Sequence, residues 1–315
     1  MTNNVTTQTP RGVWCATLTP LGVDGRPDHA RLAAHIRRIF AAGVDGVALF
    51  GTTGEGQSFT VAERLAGLEA LLAAGIEPAR VMVGTGCAAL PETIELTRHA
   101  VKCRCAGALV LPPFFFKDVT ADGVYASYAR IADEVADARL RLYLYHIPQV
   151  SGVPIADSVI ARLAESYPTL IAGVKDSQCN LEHSLRLLGA FPKLSIFVGF
   201  EPHLPAALAA GGAGTICGLA NLYPRLIRRL YDRDRASEPG HREDLALVER
   251  FVAVLDAYPL FPAFKALQAE LTGDPAWNAL RPPLQSLAVP VREAWLAAVA
   301  LCGISPGDGV GRAVS

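Results

Sequence analysis

Neither basic nor acidic side chains are in excess in this sequence. Among its 315 residues, 29 are Lys or Arg and 30 are Asp or Glu, so the formal net charge is −1. Binding to a phosphate backbone requires clustered Lys and Arg side chains. The even balance therefore argues against nucleic acid as a partner, and the apolar content of 51% is typical of an ordinary globular protein.

The N-terminal residues are unlike a signal peptide, and the sequence has no uninterrupted apolar span. Residues 1–10 are polar, with no basic segment leading into an apolar core. The longest uncharged stretch, residues 202–224, is interrupted by Pro205 and by four glycines, whereas a membrane helix needs roughly 20 consecutive apolar residues. We therefore expect no membrane segment.

Cysteine is present without the spacing of a disulfide framework or a metal site. The seven residues form no CxxC pair and no metal-binding pattern with histidine; they are Cys15, Cys87, Cys103, Cys105, Cys179, Cys217 and Cys302. We interpret them as buried, reduced thiols of a cytoplasmic protein and predict no metal site.

Short apolar runs alternate with amphipathic helical segments from Gly12 to about Arg235, a pattern typical of parallel βαβ units. Eight strands are predicted, at Val13–Leu18, Gly46–Phe50, Arg80–Gly84, Ala108–Leu111, Arg141–Tyr145, Ile171–Lys175, Ser195–Gly199 and Gly214–Cys217. A helical segment follows each strand. Eight such units predict an α/β fold, a (β/α)₈ or TIM barrel, which needs about 250 residues.

The predicted domain organisation has three parts. Residues 1–11 form a frayed tail, residues 12–236 form the barrel, and residues 237–315 form a C-terminal helical extension packed on the barrel. A doubly wound open sheet is the competing fold, but it calls for a GxGxxG turn after the first strand. The chain has Thr17-Leu18-Thr19-Pro20 there, which favours the barrel.

In a barrel the functional groups lie at the carboxyl ends of the strands, and Lys175 is notable among them. It closes the apolar run Leu170–Val174, which would place its ammonium group where little water reaches. Desolvation disfavours a charged amine and so favours the neutral, nucleophilic form, which attacks a ketone to give a Schiff base. The alternative is that Lys175 only forms a salt bridge with Asp176 or with a neighbouring strand.

Tyr145 ends the preceding strand, so its phenol is expected near Lys175. A phenol can transfer a proton when its own partner is a hydroxyl group, which Thr52 or Thr53 would supply. Each residue also has a structural interpretation: Tyr145 as a tyrosine bonded to the backbone, residues 51–54 as a turn, and Glu55 as a charge at a helix N-terminus. Only the combination of Lys175, Tyr145 and the loop of residues 51–55 favours a catalytic site.

Three motifs resemble the dihydrodipicolinate synthase/N-acetylneuraminate lyase family. They are Gly51-Thr52-Thr53-Gly54-Glu55, Tyr145-His146-Ile147-Pro148 and Gly173-Val174-Lys175-Asp176, in the family's order and spacing, and the resemblance runs from about Gly12 to Leu301. It implies class I aldolase chemistry in a (β/α)₈ barrel, with a 2-keto acid, usually pyruvate, held on a lysine as an imine, and no cofactor or metal.

The resemblance implies a role for each matched residue. Lys175 would form the imine, Tyr145 would transfer protons, and Thr52 would link to Tyr145 and, with Thr53, hold the carboxylate of the keto acid. Substrate binding is further assigned to Gly51, Ser177, Glu201, Ile216, Gly218 and Asn221. The small-molecule partners would be a 2-keto acid and an aldehyde, and the family implies a homo-oligomer, a dimer or a tetramer.

Two departures from the family pattern bear on the substrate. Val150 stands where the synthases carry an arginine that binds the carboxylate of the aldehyde, and Phe115 stands where they carry a tyrosine contributed across a subunit contact. We therefore predict an aldolase that cleaves or forms a 2-keto-3-deoxy sugar acid, whose hydroxyl groups Ser177, Glu201 and Asn221 would bind. The alternatives are a 4-hydroxy-tetrahydrodipicolinate synthase, a keto-deoxy sugar acid dehydratase, and a catalytically silent barrel that binds a 2-keto acid.

Overall fold

The computed structural model describes residues 10–232 and 240–311, and eight parallel strands close into a barrel in chain order. The strands are β1 (Gly12–Ala16), β2 (Gly46–Leu49), β3 (Val81–Gly84), β4 (Gly107–Val110), β5 (Leu142–His146), β6 (Ile171–Asp176), β7 (Ser195–Val198) and β8 (Gly214–Cys217). This confirms the (β/α)₈ barrel and excludes the open sheet, because β1 pairs with β8.

Helices lie between successive strands and continue beyond the barrel. They are α1 (His29–Ala41), α2 (Val61–Ala73), α3 (Leu90–Lys102), α4 (Ala121–Val135), α5 (Pro148–Ser151), α6 (Asp157–Ser166), α7 (Leu181–Ala190), α8 (Leu204–Ala209), α9 (Pro224–Asp232), α10 (His241–Leu255), α11 (Leu260–Thr272) and α12 (Val289–Leu301). Within the described ranges, none of them combines the length and the apolar composition that crossing a bilayer requires.

Strand side chains alternate between the helical layer and the barrel interior, because successive residues of a strand point to opposite faces. The outward set joins the large core between strands and helices. The inward set forms a separate core, which contains Trp14, Ala16, Ala48, Met82, Leu109, Tyr143, Tyr145, Ile147, Phe197, Ala213 and Ile216. These side chains fill the interior of the barrel, so a cavity can open only at its ends.

The C-terminal helices α10–α12 share a core of their own and reach the barrel mouth. Trp295 of α12 lies 5.8 Å from the ring of Phe251 in α10, and its indole N–H donates to the carbonyl of Ala263 in α11 at 2.9 Å. Phe264 of α11 packs so closely on Gly218 that a Cβ there would lie 3.0 Å from its ring. The extension therefore packs beside the carboxyl end of β8.

One predicted domain boundary and most of the predicted tail fall on residues that the structure does not describe. The boundary at 236/237 lies outside the described ranges, as do residues 1–9 of the predicted tail. Arg11 departs from the prediction of a frayed segment, since its guanidinium donates to the carbonyl of Gly212 at 2.8 Å. The short helix α5 was not predicted, because four residues are too few to show a helical period.

Candidate active site

Lys175 and Tyr145 are direct neighbours in the register of β5 and β6. Both side chains lie at the carboxyl end of the barrel, and each residue is only 3% exposed. The lysine Nζ is 4.3 Å from the centroid of the tyrosine ring. The phenol and the amine are thus held together by strand pairing, independently of any loop.

Lys175 forms no ion pair with another described residue, which removes the salt-bridge alternative. The Asp176 carboxylate is already bound by other groups: Oδ2 accepts from Ser184 at 2.6 Å and contacts His183 Nδ1 at 2.9 Å, and Oδ1 accepts from the backbone of Gln178 at 3.2 Å. Side chains of adjacent strand residues point to opposite faces, so Asp176 faces the helical layer while Lys175 faces the barrel.

Tyr145 likewise departs from the structural alternative of a hydroxyl bonded to the backbone. Its hydroxyl forms no hydrogen bond with any described residue, whereas the hydroxyl of Tyr128 donates to the carbonyl of Val110 at 3.0 Å. A phenol that lines a cavity without a protein partner is available to a ligand. Tyr145 and Thr52 line the same cavity.

The loop after β2 lines this cavity and contains backbone N–H groups without a protein acceptor among the described residues. Phe50 and Glu55 adopt left-handed φ values of 55° and 56°, and the turn is closed by hydrogen bonds from Glu55 N to Thr52 O at 3.0 Å and from Gly56 N to Gly51 O at 3.1 Å. The N–H groups of Thr52 and Thr53 donate to none of the described residues. Such a concave loop of free N–H groups is suited to an anion.

The cavity has a volume of about 360 Å³ and opens between β2, β4, β5 and the C-terminal extension. Its lining comprises Phe50, Gly51, Thr52, Glu55, Gly56, Gln57, Ser58, Gly84, Gly86, Leu109, Leu111, Phe114, Tyr145, Val150, Ser151, Phe261, Pro283 and Leu284. Sequence reasoning found Gly51, Thr52 and Tyr145 of this set. It missed Phe261, Pro283 and Leu284, because no local pattern shows that the extension folds back over the barrel.

Ser177 and Glu201 lie beside Lys175, and none of these three residues lines the cavity. A Cβ on Gly199 would come within 1.9 Å of the Ser177 hydroxyl and 3.3 Å of Lys175 Cε, so glycine is required there to leave room for both side chains. Burial raises the pKa of the Glu201 carboxyl, while a hydrogen bond from Leu219 N and the charge of Lys175 oppose that rise. Ser177 therefore lies close to the Lys175 side chain, and Glu201 is near enough for the charge of Lys175 to act on it.

The remaining predicted binding residues occupy different places. Ile216 is fully buried in the barrel interior. Gly218 lies next to Thr53: a Cβ on Gly218 would be 3.6 Å from the Thr53 methyl group. Thr53 and Gly218 are thus brought together across β2 and β8.

Asn221 differs from the prediction that it binds substrate hydroxyls. Its Oδ1 accepts from Leu18 N at 2.9 Å and from the His35 ring at 3.0 Å. Its Nδ2 donates to Ala16 O and to Gly218 O, each at 2.8 Å. All four hydrogen-bonding positions of the amide are used, and the residue is 0% exposed, so we remove it from the substrate-binding set.

One cluster behind the site has residue types that bind metals. His146, Asp176 and His183 each place a candidate ligand atom within 4.8 Å of the others. His146 Nδ1 accepts from the backbone of Ile155 at 3.1 Å, which assigns the ring proton to Nε2, where it faces Gln178 Oε1 at 2.9 Å. His146 and Asp176 are bonded to groups outside the cluster, and His183 Nδ1 contacts Asp176, so we interpret the cluster as a support for the ends of β5 and β6.

Comparison with known proteins gives a consistent assignment. The model of the dihydrodipicolinate synthetase family matches residues 9–300. A DapA-like lyase of Chloroflexus aurantiacus, itself uncharacterized, is 41% identical over 88% of this chain and 92% of the relative. A 4-hydroxy-tetrahydrodipicolinate synthase of Thermus thermophilus is 35% identical over 70% of this chain and 73% of the relative. The crystal structure of dihydrodipicolinate synthase from Agrobacterium tumefaciens is 32% identical, with a TM-score of 0.86 over 92% of this chain and 99% of that one.

Proposed function

The chain belongs to the dihydrodipicolinate synthetase family, and we propose that it is a pyruvate-dependent class I aldolase with Lys175 as the imine-forming residue. Membership makes it a carbon–carbon lyase. The observation that carries the proposal is the placement of Lys175: a nearly buried amine with no ion-pair partner among the described residues, 4.3 Å from the ring of Tyr145.

The proposed reaction begins when the Lys175 amine attacks C2 of pyruvate. Loss of water gives a protonated imine, which withdraws electrons from C3, so that C3 loses a proton and an enamine forms. C3 of the enamine then attacks the carbonyl carbon of an aldehyde, and the aldehyde oxygen takes up a proton. Hydrolysis of the imine regenerates Lys175 and releases a 4-hydroxy-2-keto acid, which is a 2-keto-3-deoxy acid. The reverse sequence cleaves that carbon–carbon bond.

Tyr145 is the proposed proton carrier at these steps, since its phenol lies beside the amine and is not engaged by the protein. The carboxylate of pyruvate would accept hydrogen bonds from the free N–H groups of Thr52 and Thr53, with the Thr52 hydroxyl nearby. Hydrogen bonds to a charged acceptor contribute about 1.5–3 kcal/mol each, so this loop can bind the carboxylate without an arginine. The imine itself acts as the electron sink, and the proposed reaction uses no further cofactor.

Ser177 and Glu201 lie near Lys175, so they would meet the hydroxyl group at the newly formed C4. The synthase adduct carries the same hydroxyl group before it cyclises with its own amine, so the aldehyde that is used, and not this contact, separates the two alternatives. A dehydratase would use the same imine but would eliminate water and leave the bond between C3 and C4 of the keto acid intact. Detection of pyruvate as a product separates these two lyase activities.

Borohydride trapping tests the proposed imine. Treatment of the protein with pyruvate and borohydride should add one reduced pyruvyl group to Lys175, visible by intact mass and located by peptide mapping. Lys175→Arg is the matched variant, because it keeps the positive charge and removes the nucleophile. Absence of a pyruvate-dependent adduct, or an adduct that persists in Lys175→Arg, would contradict the proposal and favour the silent-barrel alternative.

A further inference from the structure

We propose that the aldehyde partner of this enzyme carries an apolar substituent, such as a phenyl or a branched alkyl group, in place of a polyhydroxylated or carboxylated one. The inference rests on the proposed function, because it concerns the cavity next to Tyr145. The addition joins C3 of pyruvate to the aldehyde carbon, and the proton lost from C3 is balanced by the proton gained by the aldehyde oxygen.

The side chains around the cavity are mainly apolar. Leu109, Leu111, Phe114, Val150, Phe261 and Leu284 all line it. Leu111, Phe114, Phe261 and Leu284 are half-buried, and Val150 is 56% exposed. Covering water-facing apolar surface with a ligand is favourable, because it removes that surface from water. Pockets of this kind bind mostly apolar ligands, which a few polar groups orient.

Three of the six polar side chains of the lining, Gln57, Ser151 and Glu55, are engaged by the protein, whereas the hydroxyl groups of Thr52, Ser58 and Tyr145 bond to none of the described residues. Gln57 Nε2 donates to Gly86 O at 2.7 Å, and the Ser151 hydroxyl donates to Val153 O at 2.9 Å while accepting from Val153 N at 3.2 Å. Glu55 is paired with Lys265. A polyhydroxylated substituent would exchange its hydrogen bonds to water for contacts with apolar side chains, which is unfavourable.

Two of the three cations near the cavity, Arg281 and Lys265, are paired with carboxylates, whereas Lys117 is bound only by neutral carbonyl groups. The Lys117 ammonium donates to the carbonyls of Phe114 and Ser151. Arg281 is bound by the carboxylate of Glu63 and by Ser58 O, and Lys265 is bound by Glu55. Val150 adds an apolar side chain to the lining, so apart from Lys117 the described residues offer the carboxylate of aspartate semialdehyde no unpaired cation at this cavity.

A panel of aldehydes at saturating pyruvate tests the proposal, with the product identified by mass spectrometry. We expect kcat/KM for 3-phenylpropanal and 3-methylbutanal to exceed that for glyceraldehyde and aspartate semialdehyde by about 10- to 100-fold, the range that apolar pockets achieve. A hydroxyl group activates a neighbouring carbonyl, so this order would run against intrinsic reactivity. The borohydride adduct on Lys175 is measured in the same preparation.

Two variants tie the preference to the cavity. Val150→Arg should lower kcat/KM for 3-phenylpropanal and raise it for aspartate semialdehyde, because it places a cation in the apolar lining. Val289→Arg is the matched control, since Val289 is similarly exposed, at 54% against 56%, and does not line the cavity. It should leave both values unchanged.

The outcomes distinguish this inference from the proposed function. If the adduct forms on Lys175 but glyceraldehyde or aspartate semialdehyde is the better substrate, the apolar substituent is wrong and the imine chemistry stands. If Val150→Arg and Val289→Arg behave alike, the cavity does not select the aldehyde and the inference is overturned. If no adduct forms, the proposed function fails, and the inference fails with it.

Discussion

Lys265 of the C-terminal extension forms a buried ion pair with Glu55 of the loop after β2. The ammonium nitrogen lies 2.6 Å from a carboxylate oxygen, and both side chains are 0% exposed. The contact is an ion pair without the alignment of a good hydrogen bond, and the ammonium also donates to Ala279 O at 2.8 Å. This pair connects α11 to the loop that carries Thr52 and Thr53.

The Glu55–Lys265 pair should matter for stability and for pyruvate binding. Lys265→Met leaves a buried carboxylate without its partner, so we expect the free energy of unfolding to fall by about 3–5 kcal/mol. The double variant Glu55→Leu with Lys265→Met should lose less than the single variant, because no buried charge is left. Urea unfolding measures both, and the KM for pyruvate should rise in the single variant. A loss in the double variant as large as that in Lys265→Met, or larger, would contradict the expected relief from removing the unpaired carboxylate.

Tyr145→Phe should reduce turnover by about 10²- to 10⁴-fold, the usual contribution of a positioned acid–base group. The borohydride adduct with pyruvate should still form, because the amine of Lys175 is intact. Tyr128→Phe is the control: it removes another buried phenol, whose hydroxyl is bonded to Val110 O, and should cost stability without changing turnover. Wild-type turnover in Tyr145→Phe would assign that residue a structural role.

His35 should make the fold sensitive to mild acid. Burial lowers its pKa to about 4 against a weaker opposing effect of the hydrogen bond with Asn221, and Gln268 Nε2 lies 3.2 Å from its Nδ1. The unfolded chain binds the proton near pH 6.5 and the folded chain only near pH 4, so stability is complete above 6.5 and declines as the pH falls. The loss approaches about 3 kcal/mol at pH 4.

Thermal unfolding of His35→Gln alongside the wild type isolates this effect. Other groups that titrate on acidification are present in both proteins, so the difference in stability between them reports on His35. That difference should shrink between pH 6.5 and pH 4, because the wild type alone loses the His35 contribution. A constant difference across this window would mean that His35 is already protonated in the folded protein.

Assembly should depend on the phenylalanine triplet after β4. Phe115 and Phe116 are 70% and 68% exposed, and their rings pack edge to face at a centroid distance of 5.3 Å. Such a patch on a free monomer is unfavourable, so we expect at least a dimer by light scattering. Phe115→Ser with Phe116→Ser should lower the oligomeric state, whereas Leu301→Ser, which changes a residue that is 86% exposed, should not. A wild-type mass of 33.4 kDa at micromolar concentration would contradict the prediction.

The sequence by itself was enough to predict the barrel and the residues at its strand ends. Strands of four to six apolar residues separated by helical periods are local patterns, and the alternation of side chains along β5 and β6 places Tyr145 and Lys175 at the same end. The Gly51–Glu55 turn follows β2 directly, so its position was also set by local order. These features depend on neighbours in the chain, which a sequence displays.

Only the tertiary structure decided which distant groups meet. Asn221 has the same residue type whether it binds substrate or backbone, and the four bonds that engage it come from Leu18, His35, Ala16 and Gly218. Packing of the extension over the barrel mouth brings together residues that are far apart in the chain. It pairs Lys265 with Glu55 and places Phe261 on the same cavity as Tyr145. No periodicity encodes such contacts, since they arise from the packing of complete helices against the closed sheet.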